Sequence, residues 1–228
     1  MRTTTVGDVT LLLPDLDPED LEQVTDLPDD DLHDGLVEDV SWRGRQFGEL
    51  SIRGCRITGA DLGEITWEGG VLYGCEIVRT DLSGAALTGV NVERCSVTGS
   101  RFTGTRLVDV RLKDVLFDNC RFDYAALSRV SAAGSVAFTD CTLVHGTWSY
   151  CRLSGVALRS CDLGDLELDS CRFDGADLRG SRLHAFTAPL DNLQGVALTE
   201  DQLPELTRIA VLALSIDVRA DVARGHDR

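Results

Sequence analysis

Apolar residues recur at every fifth position over most of the chain. The positions from Ile52 to Leu127 hold sixteen apolar side chains in succession, and after one interruption the series resumes from Phe138 to Leu183. In most units a second, smaller residue stands two positions before the apolar centre, as Cys55 does in front of Ile57. An internal repeat of this kind takes priority over any local pattern.

A period of five matches neither the period of an α-helix, about 3.6 residues, nor the alternation of a long strand. The small residue and the centre are two apart, so extended backbone places both on one side, and the remaining residues turn a corner. Gly59 and Gly84 stand at such corners, where glycine relieves the strain of a tight turn. Four corners close a square coil after four units, and Cys55, Cys75 and Cys95 recur at that same interval. Stacked coils would form parallel strands about 4.8 Å apart.

The units resemble those of the pentapeptide-repeat family, with clear matches at residues 60–63 (ADLG) and 176–180 (ADLRG). The resemblance implies an all-β solenoid, a right-handed quadrilateral parallel β-helix of roughly eight coils with a C-terminal capping or dimerisation helix. We therefore divide the chain into an acidic N-terminal cap or arm (1–31), the β-helix (32–198), and a C-terminal helix and tail (199–228).

The negative charge is concentrated near the N-terminus. The formal net charge is −16, of which the segment 1–40 contributes −12, from thirteen acids and one base, and the segment 41–228 only −4. The N-terminal segment is interpreted as a solvated cap or flexible arm over the first coil, or as an acidic arm that meets a basic protein surface; metal binding by Asp29, Asp30 and Asp31 is a further alternative. Within it, residues 8–13 are consistent with a strand, and residues 17–21 (DPEDL) with a helix start.

Two irregularities interrupt the repeat. Leu127 and Phe138 are separated by two repeats plus one extra position, so residues 128–137 contain a one-residue insertion, either a tolerated bulge or a protrusion that contacts a partner. Arg45 falls in an inward slot, so regular stacking is expected to begin near Phe47.

The C-terminal part has the pattern of a helix. Residues 199–202 (TEDQ) resemble a capping box, and apolar residues at helical spacing follow, which predicts a short turn and a helix from Pro204. The resemblance implies that this helix caps the rod and builds a two-fold dimer; a cap without dimerisation is the alternative. The candidate residues are Leu203, Leu206, Ile209 and Leu212.

The eight cysteines all fall in the small inward slot and form three columns: 55/75/95, 120/141/161 and 151/171. We expect buried structural thiols, because buried cysteine is a common small hydrophobe. Disulfides would conflict with the cytoplasmic location expected from the lack of a signal peptide or membrane span. Zinc is disfavoured because there is no CxxC and no histidine shares these slots.

No pattern of catalytic chemistry stands out. The four histidines are scattered, and there is no glycine-rich phosphate loop and no GxSxG sequence. A filled solenoid also lacks the concave pocket that ligands need. We therefore expect no enzyme activity and no catalytic, cofactor or metal site.

Function is instead expected at the surface. The resemblance includes acidic rods that imitate duplex DNA, bind DNA gyrase, a type II topoisomerase, and protect it from quinolones or gyrase-targeting natural products, as antibiotic resistance or self-resistance. The candidate partner-binding residues, which could also be a merely solvated face, are Asp162, Asp165, Glu167, Asp169, Asp174 and Asp177.

Two other hypotheses stay open: a protein-interaction scaffold with a partner other than gyrase, and an enzyme or ligand site at an irregular position. DNA mimicry needs a continuous acidic stripe and a two-fold rod, a scaffold needs only a patch, and an enzyme needs a concave site. The near-neutral rod body departs from the mimicry pattern. We expect a protein partner, a homodimer formed through the C-terminal helix, no membrane, and no direct binding of nucleic acid.

Overall fold

The computed structural model describes residues 1–26 and 31–219, which form a parallel β-helix of about seven turns followed by one α-helix. Each turn has four faces, numbered here in the order in which the chain meets them from Leu32 onward. The turns number about seven instead of the expected eight because the last repeats are joined only by single bridges, such as Glu167 to Thr187, and then give way to a 3-10 helix at Leu190–Leu193.

Faces 1 and 2 share one sheet, which turns the corner between them. Face 1 contains Leu32–His33, Ser51–Arg53, Val71–Tyr73, the first halves of Asn91–Thr98 and Arg111–Asp118, and Ser131–Ala132. Face 2 contains Glu22–Val24, Gly35–Glu38, Arg56–Thr58, Glu76–Val78, the second halves of the two long strands, Val136–Thr139 and Ala157–Arg159. The stack therefore starts at Glu22, before the expected boundary at residue 32.

Faces 3 and 4 complete each turn. Face 3 consists of single parallel bridges at Ser41, Asp61, Asp81, Arg101, Arg121, Thr142, Asp162 and Arg182. Face 4 is a seven-stranded sheet of Gln46–Phe47, Thr66–Glu68, Ala86–Thr88, Arg106–Val108, Ala126–Ser128, Thr147–Ser149 and Glu167–Asp169.

The pairing register reproduces the repeat of the sequence. Leu72 lies over Ile52 and beneath Val92, a sequence step of 20 each time, whereas Phe117 pairs with Phe138 at a step of 21. The predicted insertion lies between two pairings, Leu112 with Ala132 and Val115 with Val136. It is therefore a one-residue bulge at the corner between faces 1 and 2.

The interior is filled by the predicted centres. Phe102 and Phe122 stack with ring centroids 4.4 Å apart, and Phe117 and Phe138 stack at 4.7 Å. The space left along the axis between Trp42 and Phe117 is about 70 Å³ and its lining is apolar. Such a space stays dry and offers nothing to a polar ligand.

The predicted cysteine columns are confirmed, and all eight thiols are buried and unpaired. Each donates to a backbone carbonyl of the preceding coil, as Cys75 Sγ does to Ile52 O at 3.5 Å. Burial raises the pKa of the Cys75 thiol well above its usual range. Because all eight thiols are buried among core side chains, they act as packing elements.

The first part of the N-terminal segment packs on the outside of the middle coils. Strands β1 (Arg2–Val6) and β2 (Val9–Leu13) form an antiparallel hairpin that lies across the outside of face 2. The hairpin places Leu11 and Leu13, both fully buried, against small and apolar outward residues of three successive coils, namely Leu116, Ala137 and Ala157. The N-terminal hairpin thus ties neighbouring coils together from outside.

The rest of this segment joins the stack. The helix start predicted at 17–21 is a single 3-10 turn, Pro18–Asp20, in which Asp17 accepts a hydrogen bond from Glu19 N at 3.1 Å. It is not an α-helix, because the chain is extended again at Glu22–Val24 to pair with face 2. Arg45 avoids the interior by turning outward to Asp26 at 3.5 Å. Of the three aspartates considered for metal binding, Asp29 and Asp30 lie outside the described residues.

The C-terminal end is closed by the predicted turn and helix. Thr199 N donates to Gln202 Oε1 at 2.8 Å, and helix α1 (Leu203–Ala213) follows a 3-10 turn at Glu200–Gln202. The buried Gln202 side chain donates to Leu178 O at 2.8 Å, which satisfies a carbonyl of the last coil. In the part of the chain that the structure describes, no helix has the length and apolar character needed to span a membrane.

Candidate interaction surface

The six candidate acids occupy a single coil, where they form a ring around the rod. Asp162 lies on face 3 and is paired with Arg182 at 2.5 Å. Asp165 is at the corner between faces 3 and 4, and the other four lie on faces 4, 1 and 2. These four are Glu167 and Asp169 on face 4, Asp174 on face 1 and Asp177 on face 2. The structure therefore divides the candidate set among four surfaces.

Asp177 belongs to the structural part of the molecule. It is only 5% exposed and receives hydrogen bonds from Arg159 Nη1 at 3.0 Å and Arg179 Nη2 at 2.8 Å. Burial opposes its ionisation, but the bonds from Arg179 and Arg159 outweigh this effect and lower the pKa of Asp177 to about 2. Arg179 also reaches Asp8 of the N-terminal hairpin at 3.0 Å, and Gly7 sits so close that a Cβ there would collide with the Asp177 carboxylate.

The acids of face 3 are largely neutralised by neighbours in adjacent coils. Arg101 pairs with Asp81 at 3.2 Å, as the outward column of the sequence predicts. Arg43 contacts Asp61 at 2.9 Å and reaches Asp81 at 3.9 Å, so one arginine bridges two stacked aspartates. No outward column of the described residues carries three acids in succession. The condition for duplex mimicry along the rod, a continuous acidic stripe, is therefore absent from these residues.

Face 4 differs because its acids remain exposed beside exposed aromatic rings. Tyr124 and Tyr150 stand at its two corners, 63% and 60% exposed. Tyr124 stacks on His145 with ring centroids 5.0 Å apart, and His145 Nδ1 lies 3.8 Å from Asp165. We call the following group the tyrosine–acid patch: Tyr124, His145, Tyr150, Asp165, Glu167 and Asp169.

The geometry of the repeat explains why this patch projects from the rod. Tyr124, His145 and Asp165 occupy the same corner in successive coils, with φ of 60°, 58° and 53°, and the corner directs their side chains outward. Between the corners the strands carry small outward residues, Ala126 and Thr147 among them. Neither Glu167 nor Asp169 has a basic partner within ion-pair distance among the described residues.

The sequence identified the acids of this patch but not its aromatic members. Tyrosines at corner positions, where most units have glycine or a small polar residue, were an available signal. Within residues 1–26 and 31–219, no three metal-ligating side chains converge.

The C-terminal helix divides the four candidate residues into two groups. Ile209 is buried against the rod and Leu206 is half-buried, as expected for a cap. Leu203 and Leu212 are exposed, and further exposed apolar residues follow the helix. These are Leu214, Ile216 and Val218.

Comparison with known proteins identifies the chain as a member of the pentapeptide-repeat family. The family model for pentapeptide repeats matches eight copies in residues 55–94 and 151–185, and the coil geometry extends the same repeat between and beyond them. No curated protein matches the chain at a significant level.

The solved structures to which the chain is similar include two proteins with different described roles. QnrB1, a plasmid-mediated fluoroquinolone resistance protein, shares 17% identity over 83% of this chain and 99% of its own, with a TM-score of 0.46. HetL of the cyanobacterium Nostoc, involved in regulating heterocyst differentiation, shares 17% identity over 75% of this chain and 83% of its own, with a TM-score of 0.41.

Proposed function

We propose that the protein is a non-enzymatic docking rod that binds a protein partner through the tyrosine–acid patch. The observation that supports this most directly is the pairing of two well-exposed tyrosines with three acids on one open face. Tyrosine is enriched at protein interfaces because its ring supplies a large contact area and its hydroxyl a hydrogen bond. Unpaired carboxylates beside it favour a partner with a basic surface.

We propose DNA gyrase, in the cytoplasm, as the partner to test first, with protection from a gyrase poison as the outcome. The support is the family resemblance together with the charge of the patch, because a surface that binds DNA is basic and attracts negative fields. The interaction would be local, at one end of the rod, since the acids do not extend along it. A partner other than gyrase is the alternative, and the same patch would bind it.

The test is a gyrase supercoiling assay in which the protein is titrated alone and then with a quinolone. We expect inhibition or rescue by the native protein, and loss of that effect in the neutralised variant D165N/E167Q/D169N. The matched control, E38Q/E49Q/E68Q, removes the same charge from exposed acids near the other end of the rod and should behave as the native protein. If the native protein has no effect in excess over gyrase, the gyrase proposal is wrong; if both variants lose the effect equally, the patch is not the binding site.

We further propose that two rods associate through the exposed apolar residues at the C-terminal end. Leu212 and Leu214 are 63% and 60% exposed, and a second copy would remove them from water. Sedimentation should then show a dimer that the variant L212E/L214E converts to a monomer with unchanged circular dichroism. A native protein that sediments as a monomer at all concentrations would exclude this association.

A further inference from the structure

Face 1 carries a row of arginines without partners, although the protein as a whole is strongly acidic. Arg111, Ser131, Arg152 and Arg172 follow one another in one outward column, in successive coils. The three arginines are exposed and form neither an ion pair nor a side-chain hydrogen bond with any residue in the described part of the chain. Arg152 and Arg172 are direct neighbours, about 4.8 Å apart along the rod.

Several arginines elsewhere on the rod are neutralised within the protein. Arg101 and Arg182 of face 3 each pair with an aspartate one coil away, and Arg129 binds Asp109 through two bonds of 2.7 and 2.8 Å. The bond from Arg129 lowers the pKa of Asp109 below its usual value. Like charges facing each other across a ladder are destabilising, and Arg152 and Arg172 on face 1 are such a pair.

The basic surface continues toward the N-terminal end of face 1. A shallow groove of about 440 Å³ lies there, lined by Arg53, Tyr73, Asn91, Glu93, Arg111 and Lys113 among others. Its one acid, Glu93, is already engaged by Lys113 at 2.9 Å, and the Tyr73 ring lies between Arg53 and Arg94, whose guanidinium carbons are 5.7 and 5.5 Å from its centroid. Arg111 therefore remains available to a ligand, whereas Arg53 already donates to Ser51 Oγ at 2.9 Å.

We propose that face 1 is a docking surface for an acidic, extended segment of a partner protein. From Arg53 to Arg172 the basic residues span six coil steps, about 29 Å, which corresponds to about nine residues of extended chain. The exposed acid beside Arg172 on this face, Asp174, accepts a hydrogen bond from Ser154 Oγ at 2.8 Å. Asn91 and Ser131 share the column with the arginines, so amide and hydroxyl groups for peptide carbonyls alternate with cations for carboxylates. This inference is independent of the tyrosine–acid patch and of the identity of its partner.

A peptide fits this surface better than a nucleic acid does. Duplex DNA carries one charge per about 1.7 Å of its axis, whereas the arginine column offers three cations along four successive coils. The tyrosine of the groove, Tyr73, is half-buried and already has two guanidinium groups against its ring, which leaves little of the ring for base stacking. The net charge of −16 further repels a dense polyanion.

Fluorescence anisotropy with a labelled Glu–Ser peptide of about ten residues tests the proposal directly. The full-length protein should bind it, with affinity that falls as salt rises. The variant R152E/R172E should bind at least about tenfold more weakly, and R152Q/R172Q should be intermediate. The matched control R106E/R121E makes the same charge change on faces 4 and 3 and should bind within about twofold of the native protein.

Several results would overturn the proposal. These are no binding of the peptide at millimolar concentration, equal losses in R152E/R172E and the control, or tighter binding of a single-stranded oligonucleotide of equal charge. Concentration-dependent self-association that R152E/R172E abolishes would instead assign face 1 to a second copy of this chain. Thermal melts of all variants should coincide within a few degrees, because the substituted side chains are exposed.

Discussion

Faces 2 and 4 are built from the same repeat, yet their outward side chains have opposite surroundings. On face 2 the N-terminal hairpin covers Leu116, Ala137 and Ala157, and Asp177 is saturated by two arginines. On face 4 Tyr124 and Tyr150 stay in solvent, beside Glu167 and Asp169, which have no basic partner among the described residues. On both faces, packing in the interior determines the inward residues. The outward residues differ: those that the hairpin covers are structural, and those left in solvent are available to a partner.

The largest effect should come from the hairpin core. The substitution Leu11→Ala removes a fully buried side chain and should lower the free energy of unfolding by about 2–4 kcal/mol. Urea denaturation measures it, and Thr10→Ala, at an exposed position of the same strand, is the control. An unchanged denaturation midpoint in Leu11→Ala would mean that the hairpin does not hold face 2.

The Asp177 network should contribute less, and in a pH-dependent way. Asp177→Asn leaves Arg159 and Arg179 without their carboxylate and should cost about 1–2 kcal/mol at neutral pH. Because the pKa falls from an ordinary 3.8 to about 2 in the folded protein, this stabilisation is complete above pH 4 and is lost as the pH falls toward 2.

The difference in stability between the native protein and Asp177→Asn should therefore shrink between pH 4 and pH 2, measured by denaturation at each pH. Asp169→Asn, which removes the same charge at an exposed acid, is the control. A constant difference across this range would contradict the assignment of the stabilisation to the ionised carboxylate.

The smallest effect on stability belongs to the tyrosine–acid patch. The neutralised variant D165N/E167Q/D169N should unfold within about 0.5 kcal/mol of the native protein, because the three side chains are exposed and make no ion pair with an arginine or lysine of residues 1–26 and 31–219. A loss as large as that of Asp177→Asn would show that face 4, too, is structural.

Much of the fold follows from the sequence because the repeat leaves few choices. Centres such as Phe122 and Leu163 point inward wherever the five-residue period holds, and the smaller slot before them suits Cys120 and Cys161. The position of the insertion follows from the one irregular interval in the repeat. The capping residues Thr199 and Gln202 are recognised from their local sequence. These features depend on residues close in sequence or separated by a fixed step.

The sequence alone does not predict that the hairpin covers face 2, because the contacts join residues more than a hundred positions apart. Leu11 packs on Ala137 and Ala157, and no periodicity links a hairpin to a distant coil. In the sequence, Asp177 occupies the same kind of outward position as the exposed acids, and only the structure shows that the hairpin and Arg159 enclose it. The available signal was weak: one outward column of face 2 holds only small or apolar residues in four successive coils, namely Ser96, Leu116, Ala137 and Ala157.

The central claim, that partners bind the open face and not the covered one, is tested most directly by photo-crosslinking in cells. A photoreactive phenylalanine analogue replaces Tyr150 on face 4 or, as the matched position, Thr10 on the hairpin over face 2. The account predicts a discrete crosslinked protein from position 150, identified by mass spectrometry, that is absent at position 10 and lost with D165N/E167Q/D169N. Equal crosslinking from both positions, or none from position 150, would contradict it.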